Sequence, residues 1–261
     1  MKKVLTIAGS DSSGGAGIQA DLKTMSVHKV YGMSAITALT AQNTTGVYGI
    51  LEADPEFVAL QLDCVFTDIP PDAVKIGMLG GVGVIEAIAA KLRQYGAKRI
   101  VLDPVMVATS GAKLLGDDAV LALMSKLFAL VDIITPNIPE AEVLCGMKIT
   151  GPADMEAAAE KLSSMTHGSV LIKGGHLPHS ADDLLYSQGK SVWIRGDRVD
   201  NTNTHGTGCT LSSAIACNLA RGYDMETSVR NAKEYITAAL KEKLNLGKGS
   251  GPLNHYCRTN A

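Results

Sequence analysis

The chain has 261 residues, 46% of them hydrophobic, and 24 Lys+Arg against 26 Asp+Glu give a formal net charge of -2. That composition supports a large core and excludes intrinsic disorder. Without a basic surplus to neutralise a phosphate backbone, no nucleic-acid partner is expected. Only 4% of residues are aromatic, so aliphatic side chains and Met must fill the core. The longest uncharged stretch, Val30 to Leu51, is rich in Thr, Asn, Gln and Gly. It lacks the ~20 apolar residues a bilayer span needs, so no membrane partner is expected. Met1-Lys2-Lys3 has the charge of a signal n-region, but the apolar run behind it, Val4 to Ala8, is too short. Five cysteines form no C-x-x-C, which favours reduced thiols and a cytoplasmic location.

Short aliphatic runs alternate with amphipathic stretches along the chain. Val4 to Ala8 reads as a buried strand, Ala16 to Val30 as a helix and Ser34 to Leu39 as a strand rich in Thr and Ile. Pro55 to Asp68 reads as a helix with Pro near its start. There follow strand Ala73 to Met78, helix Val82 to Tyr95, strand Ile100 to Met106, helix Asp117 to Val131, strand Ile133 to Thr135 and short helix Ile138 to Cys145. Pro152 to Met165 is a helix, Ser169 to Lys173 a strand, and Leu184 to Arg195 a hairpin turning at Gln188-Gly189-Lys190. Helices Gly208 to Arg221 and Met225 to Leu246 finish the chain. Cys64, Cys145 and Cys217 fall on helix faces and read as core.

Strands alternating with helices imply βαβ units, an α/β fold and a mostly parallel sheet with helices on both faces. No linker or repeat interrupts the pattern, so residues 1–261 read as one domain, with a small β-flap around Ser34 to Ala53. Ligands in such sheets bind beyond the carboxyl ends of the strands. The residues that matter are therefore Gly9 to Gly17, Met78 to Gly81, Asp103 to Gly111, Thr135 to Glu140 and Gly174 to His176.

Gly9 to Gly17 contains Gly15-Ala16-Gly17-Ile18-Gln19-Ala20, a formal G-x-G-x-x-A. No acid ends the second strand to hold a ribose hydroxyl, and Gly15-Ala16 stands where a P-loop has Lys-Ser/Thr. The loop still offers backbone donors and the carboxylates Asp11 and Asp21, or serves only as a permissive turn and cap. Asn203-Thr204-His205-Gly206-Thr207-Gly208-Cys209-Thr210 leads into the apolar helix Leu211 to Ala220. Gly206 and Gly208 let successive N–H groups converge where the positive helix end adds to them, a nest suited to a transferring phosphoryl group. That position lowers a thiol's pKa from about 8.5, so Cys209 could act as a base or nucleophile. The alternatives are an inert buried Cys, or a hydrolytic dyad with His205, although two residues four apart across a glycine turn need not face each other.

Asp103 before Pro104, and Asn137 with Glu140 in Thr135-Pro136-Asn137-Ile138-Pro139-Glu140, could hold Mg2+ directly or through water. Asn137 and Glu140 also read as a capping box, and both readings can hold together. Lys173, before Gly174-Gly175, suits a phosphate oxygen or is a snorkelling strand end. Gln42 and Asn43 close the second strand run, and the donors and acceptor of Gln42 match an aminopyrimidine edge. Met78 could pack on such a ring.

Six segments in order carry a resemblance: Ile7 to Asp21, Thr40 to Asn43, Lys75 to Leu79, Asp103 to Ala108, Thr135 to Ala141 and His205 to Thr210. Together the chain resembles the ribokinase superfamily and, within it, the hydroxymethylpyrimidine/phosphomethylpyrimidine kinases of thiamine biosynthesis. The resemblance implies a three-layer αβα sandwich, ATP with Mg2+ as donor, and two successive phosphorylations of a small pyrimidine. It implies that Gln42 reads the pyrimidine edge, that Gly9, Met78 and Val105 line the ring pocket, and that Asp21 holds its hydroxyl side. Gly206, Thr207 and Gly208 would form the anion hole, with Cys209 where sugar-kinase relatives carry an Asp base. Asn137, Glu140 and Asp103 would serve the metal shell, and Lys173, Asn137 and Thr207 the nucleotide. Relatives of this type are often homodimers. The alternative is a bacterial pyridoxal kinase of the same branch. Those enzymes carry a lid cysteine after the Asp-Pro-Val-Met-Val run, where this chain has Ala108 followed by Thr109-Ser110-Gly111.

Overall fold

The structure, a computed structural model, describes residues 1–108, 111, 114–175 and 181–257. Nine strands form one sheet in the order β3-β2-β1-β4-β5-β6-β7-β8-β9. The strands are β1 (Lys3–Asp11), β2 (Tyr31–Asn43), β3 (Gly46–Glu52), β4 (Ala73–Ile76), β5 (Ile100–Leu102), β6 (Ile133–Ile134), β7 (Ser169–Ile172), β8 (Asp183–Ser187) and β9 (Lys190–Ile194). From β2 through β7 every neighbouring pair is parallel, while β3, β8 and β9 add antiparallel edges. Eight α-helices cover the described part: α1 (Gly17–Val27), α2 (Pro55–Asp68), α3 (Val82–Gln94), α4 (Asp117–Leu127), α5 (Ile138–Cys145), α6 (Pro152–Ser163), α7 (Thr207–Arg221) and α8 (Met225–Lys241). The chain leaves β1 for β2 on one side and returns to β4 on the other. The strand order therefore reverses beside β1, where α/β sheets open a crevice.

Strand pleating sorts the side chains. Leu5, Ile7, Val74, Ile76, Ile100, Leu102, Ile134, Val170 and Ile172 pack in one core with α2 to α6. Val4, Ala73, Val101, Ile133 and Leu171 pack in the other with Met25 of α1 and the inner faces of α7 and α8. Each buried aliphatic side chain contributes about 1.5–3 kcal/mol by leaving water. The period of two then dictates that Thr6, Lys75, Asp103, Thr135 and Lys173 share the α1/α7/α8 face, near the carboxyl edge. The hydrogen bonds described below bear this out.

Several boundaries differ from the sequence reading for identifiable reasons. The strand at Ile100 stops at Leu102, because Pro104 has no N–H to continue the ladder. The strand at Ser34 belongs to a 13-residue β2, whose start pairs with β1 and whose end pairs antiparallel with β3 as the expected flap. The last helix ends at Lys241, five residues before Leu246. The hairpin turns at Gln188 and Gly189 alone, both at positive φ as a tight two-residue hairpin requires. Cys145 and Cys217 are buried as expected, but Cys64 is exposed. No helix among the described residues is long and apolar enough to cross a membrane.

Candidate active site

The glycine turn before α7 sits at the carboxyl edge of the sheet. Gly206 is the N-cap of α7 with φ 83°, and a Cβ there would overlap the carbonyl oxygen of Gly15. The turn is thus pressed against the Gly9–Gly17 loop. The first intrahelical bond runs from Thr210 N–H to Gly206 O at 2.9 Å. The N–H groups of Gly208 and Cys209 precede it and belong to the set a helix start leaves for other partners. Thr207 differs from expectation. Its N–H (3.2 Å) and its hydroxyl (2.6 Å) both donate to Thr204 O, so it braces the turn and the donors shift to Gly208 and Cys209.

A Cβ on Gly208 would lie 3.1 Å from Asp103 Oδ2 and 3.3 Å from Lys173 Nζ. The helix start therefore faces the Asp103–Lys173 ion pair, whose Nζ–Oδ1 distance is 2.7 Å. Thr135 donates to the same Asp103 oxygen at 3.1 Å. Burial works against the Lys173 charge, but Asp103 and Glu140 outweigh it and raise its pKa. Asn137 and Glu140 form the predicted capping box: each accepts the other's backbone N–H at 2.8 Å. Both side chains are committed to the start of α5, close to the Asp103–Lys173 pair that perturbs Glu140.

Burial drives the Glu140 carboxyl up to about 7, with Lys173 opposing the rise and Asp103 adding to it. An acid raised on folding keeps a proton that the unfolded chain has lost, so stability falls as pH climbs from 4.5 toward 7. Denaturant melts across that window are expected to show the wild type losing stability relative to Glu140→Gln. A difference that stays flat with pH would contradict this assignment.

Asp21 lies next to Cys209, under the helix start, and is tied down by three side chains. It is fully buried and accepts from Thr6 Oγ1 (2.6 Å), Ser213 Oγ (2.6 Å) and both-handed from Lys75 Nζ (2.8 and 2.9 Å). It is the counter-ion of Lys75, which the sequence reading passed over. An ammonium inside the aliphatic strand Ala73–Ile76 was the signal, because a buried Lys must be paired. Lys75 and Asp21 in turn flank Cys209. Burial pushes the Cys209 thiol up to about 11, with Lys75 opposing and Asp21 and Asp103 reinforcing the rise. The lowered pKa expected from the helix end is therefore reversed: desolvation between two carboxylates outweighs the helix field.

Gly9 and Met78 come together, since a Cβ on Gly9 would lie 3.1 Å from Met78 Sδ. Met78 is half-buried, and Thr37 donates to its carbonyl at 2.6 Å. Val105 is half-buried just past Asp103-Pro104, with its N–H on Asp103 O at 2.8 Å. Gln42 is half-buried on the flap and lines a cleft of about 320 Å3 with Asn43, Thr44, Thr45, His205, Gly249 and Ser250. His205 forms no dyad with Cys209: its Nε2 lies 2.8 Å from Asp11 Oδ2. Burial works against ionising Asp11, yet hydrogen bonds from His205, Ser13 and Ala16 hold its carboxyl well below the usual range. A second cleft of about 510 Å3 lies along α8, lined by Arg195, Asp197, Lys233 and Thr237 among others. Asp183 links it to the catalytic edge, accepting from Lys233 Nζ (2.8 Å) and Gly174 N (2.9 Å). The stretch from His176 to Ser180 and the residues Thr109, Ser110, Ala112 and Lys113 lie outside the described residues.

A helix start, a lysine and two carboxylates at the edge of a ribokinase-like sheet define a phosphotransferase of small molecules. The comparisons agree. Residues 11–254 match the model of the phosphomethylpyrimidine kinase family. The chain is 46% identical to the hydroxymethylpyrimidine/phosphomethylpyrimidine kinase of Haemophilus influenzae, over 98% of this chain and 97% of that one. It is 51% identical over 97% of its length to the thiamine biosynthesis bifunctional protein ThiED of Geobacter sulfurreducens, of which it spans 52%. The ADP complex of Bacillus subtilis pyridoxal kinase superposes with a TM-score of 0.91 at 38% identity, over 98% of both chains. The chain belongs to the phosphomethylpyrimidine kinase family. It is a kinase that takes ATP as its phosphoryl donor.

Proposed function

We propose that the protein phosphorylates 4-amino-5-hydroxymethyl-2-methylpyrimidine and then phosphorylates the resulting monophosphate to the diphosphate, for thiamine synthesis. The observation that carries this reading is the Gly206–Cys209 helix start facing Lys173 and Asp103. Phosphoryl transfer needs positioning and charge stabilisation more than covalent work. The N–H groups of Gly208 and Cys209 and the Lys173 ammonium converge on one spot to meet the charge moving from nucleotide to acceptor. Gly9, Met78 and Val105 wall the ring pocket, and Gln42 reads the edge of the ring. The cleft along α8 takes the nucleotide's remaining part.

Mg2+ fits the acidic residues present. Asp103 and Glu140 are two carboxylates beside a phosphate-binding lysine, and no cage of three or more ligands forms among the described residues. That suits a cation that keeps its waters and binds through one or two carboxylates plus substrate phosphates. When bound it neutralises phosphate charge. Asn137 acts by holding Glu140 at the start of α5.

Cys209 rests as a thiol and meets the acceptor oxygen at the helix start; it takes the hydroxymethyl proton in its minor thiolate form, its own proton having first passed to solvent. In the first transfer a hydroxymethyl proton must leave, whereas in the second the acceptor is already an oxyanion. Cys209→Ala is therefore expected to slow the first reaction by about 10²-fold and the second by less, in parallel rate measurements. Equal losses would remove the acid–base role. The same assays run on pyridoxal test the second reading, which the likeness to B. subtilis pyridoxal kinase favours. Binding of the pyrimidine without ATP consumption would overturn the enzymatic reading.

The chain works as one domain in the cytoplasm, its five cysteines all free. It pairs with a second copy through the flap. There β3 is the outermost strand of the sheet and carries Tyr48, Ile50 and Leu51, with Leu39 and Phe57 also exposed. Sedimentation is expected to give a dimer for the wild type and a monomer for Leu51→Lys. A dimer unaffected by that change would exclude this face.

A further inference from the structure

Gln42 is held more tightly than a residue that simply faces solvent. The register of the β2–β3 pair shifts between Ala41 and Gln42, where Tyr48 of β3 is the extra residue. Ser12 then grips the Gln42 main chain at both ends, donating its hydroxyl to Gln42 O at 2.8 Å and accepting Gln42 N–H at 2.9 Å. The side chain reaches two further groups. One amide atom lies 3.1 Å from Thr40 Oγ1 and the other 3.3 Å from His205 Nε2.

Counting protons fixes which atom is which. Asp11 is an ionised acceptor, already taking N–H groups from Ser13, Gly15 and Ala16 and the Ser13 hydroxyl. The His205 Nε2 at 2.8 Å from it must therefore carry a proton. A protonated Nε2 cannot accept from an amide NH2, so the Gln42 atom facing His205 has to be the oxygen. The same holds at the other end. The single Thr40 proton goes to Ser10 O at 3.0 Å, leaving its oxygen free to accept from an amide nitrogen. A half-turn of the amide plane exchanges oxygen and nitrogen at the same two positions, and it satisfies both neighbours together.

We propose that Asp11 and His205 are positioning residues that fix the amide of Gln42, oxygen toward His205 and nitrogen toward Thr40, so that one uncommitted N–H is what the cleft offers the acceptor. The acceptor it selects is a heteroaromatic ring with a hydrogen-bond-accepting nitrogen at that edge. His205 is also the residue before the anion turn, with its ring packed against Gly15 and its backbone bridged to Pro252. Recognition of the ring and the transfer site thereby share one rigid support. The inference rests on the proposed role of Gln42 as the reader of the acceptor.

The test compares kcat/KM for the hydroxymethylpyrimidine with that for the analogue whose ring nitrogen beside the amino group is replaced by C–H. In the wild type the ratio is expected to be roughly tenfold or more, the value of one hydrogen bond. In Gln42→Ala it should fall to about unity; an unchanged ratio there would show that Gln42 does not read the acceptor at all, which overturns the underlying role. In His205→Leu the ratio should also collapse, and His205→Gln, which restores an N–H toward Asp11, should recover it. A collapse in Gln42→Ala with a retained ratio in His205→Leu overturns the present inference alone. Neutron diffraction on the wild type gives a readout independent of folding in the variants. Deuterium on the Gln42 atom nearest Thr40 supports the assignment, and deuterium on the atom nearest His205 refutes it.

Discussion

Gly206→Ala is expected to lower the rate of phosphoryl transfer by 10²–10³-fold or more, the scale seen when a preorganised anion-hole donor is lost. Two independent faults combine at this position. The backbone sits at φ 83°, which costs a residue with a Cβ about 1–2 kcal/mol, and the added methyl would overlap the Gly15 carbonyl. The turn can only relieve that overlap by lifting off the first loop, which moves the N–H groups of Gly208 and Cys209 away from Lys173. Gly222, at the other end of α7, supplies the control. It has φ 96° but nothing within 4 Å of a built Cβ. Gly222→Ala should cost about 1 kcal/mol in denaturant melts and leave the transfer rate within about twofold. Equal rates for the two variants would mean that the contact between the turn and the first loop has no part in transfer.

Lys173→Met should produce the second large loss, about 10²–10³-fold in kcat with both acceptors, because both transfers pass charge across the same spot. The substitution also leaves Asp103, only 2% exposed, with Thr135 as its remaining side-chain donor among the described residues. Breaking a buried pair by removing one partner costs about 3 kcal/mol. A fall in activity could therefore come from unfolding. The Lys173→Met/Asp103→Asn double variant separates the two: it should regain most of the stability and none of the rate. Recovery of activity in the double variant would reduce Lys173 to a structural counter-ion. The single variant should also push the Glu140 carboxyl higher still, since Lys173 is the charge that opposes its burial.

Much of this was legible in the sequence, and what was not has physical causes. Element types followed from periodicity, because the central strands β1 and β4 to β7 are buried on both faces and leave aliphatic runs. The ends were less legible where tertiary partners decide them, as with β2, which continues to Asn43 only because β3 pairs with it. The glycine turn could be placed because it opens an apolar helix, and Lys173, Asp103 and the Asn137–Glu140 box because each follows a strand. The partners of Asp21 were not legible: Thr6, Lys75 and Ser213 lie 15, 54 and 192 residues away, and burial is a property of the assembled fold. The same holds for the Cys209 thiol. The helix end that should acidify it is visible in the sequence, but the two carboxylates and the desolvation that outweigh it are not. Thr207 was misplaced for a smaller reason, a turn bond back to Thr204 that any Thr three residues on can make.

The pleat of the central strands has a consequence for how this enzyme can change. Lys75, Asp103 and Lys173 reach a common side only because each stands an even number of positions from an inward neighbour such as Ala73, Val101 or Leu171. Point substitutions can therefore be explored freely around them, but a one-residue insertion or deletion inside β4, β5 or β7 reverses parity. It would send the charged group into the aliphatic layer under α2 to α6 and bring an isoleucine or leucine to the chemistry. Length changes are accordingly expected to be tolerated only in the connections between strands, so new specificity has to come from the flap and the loops rather than from the sheet.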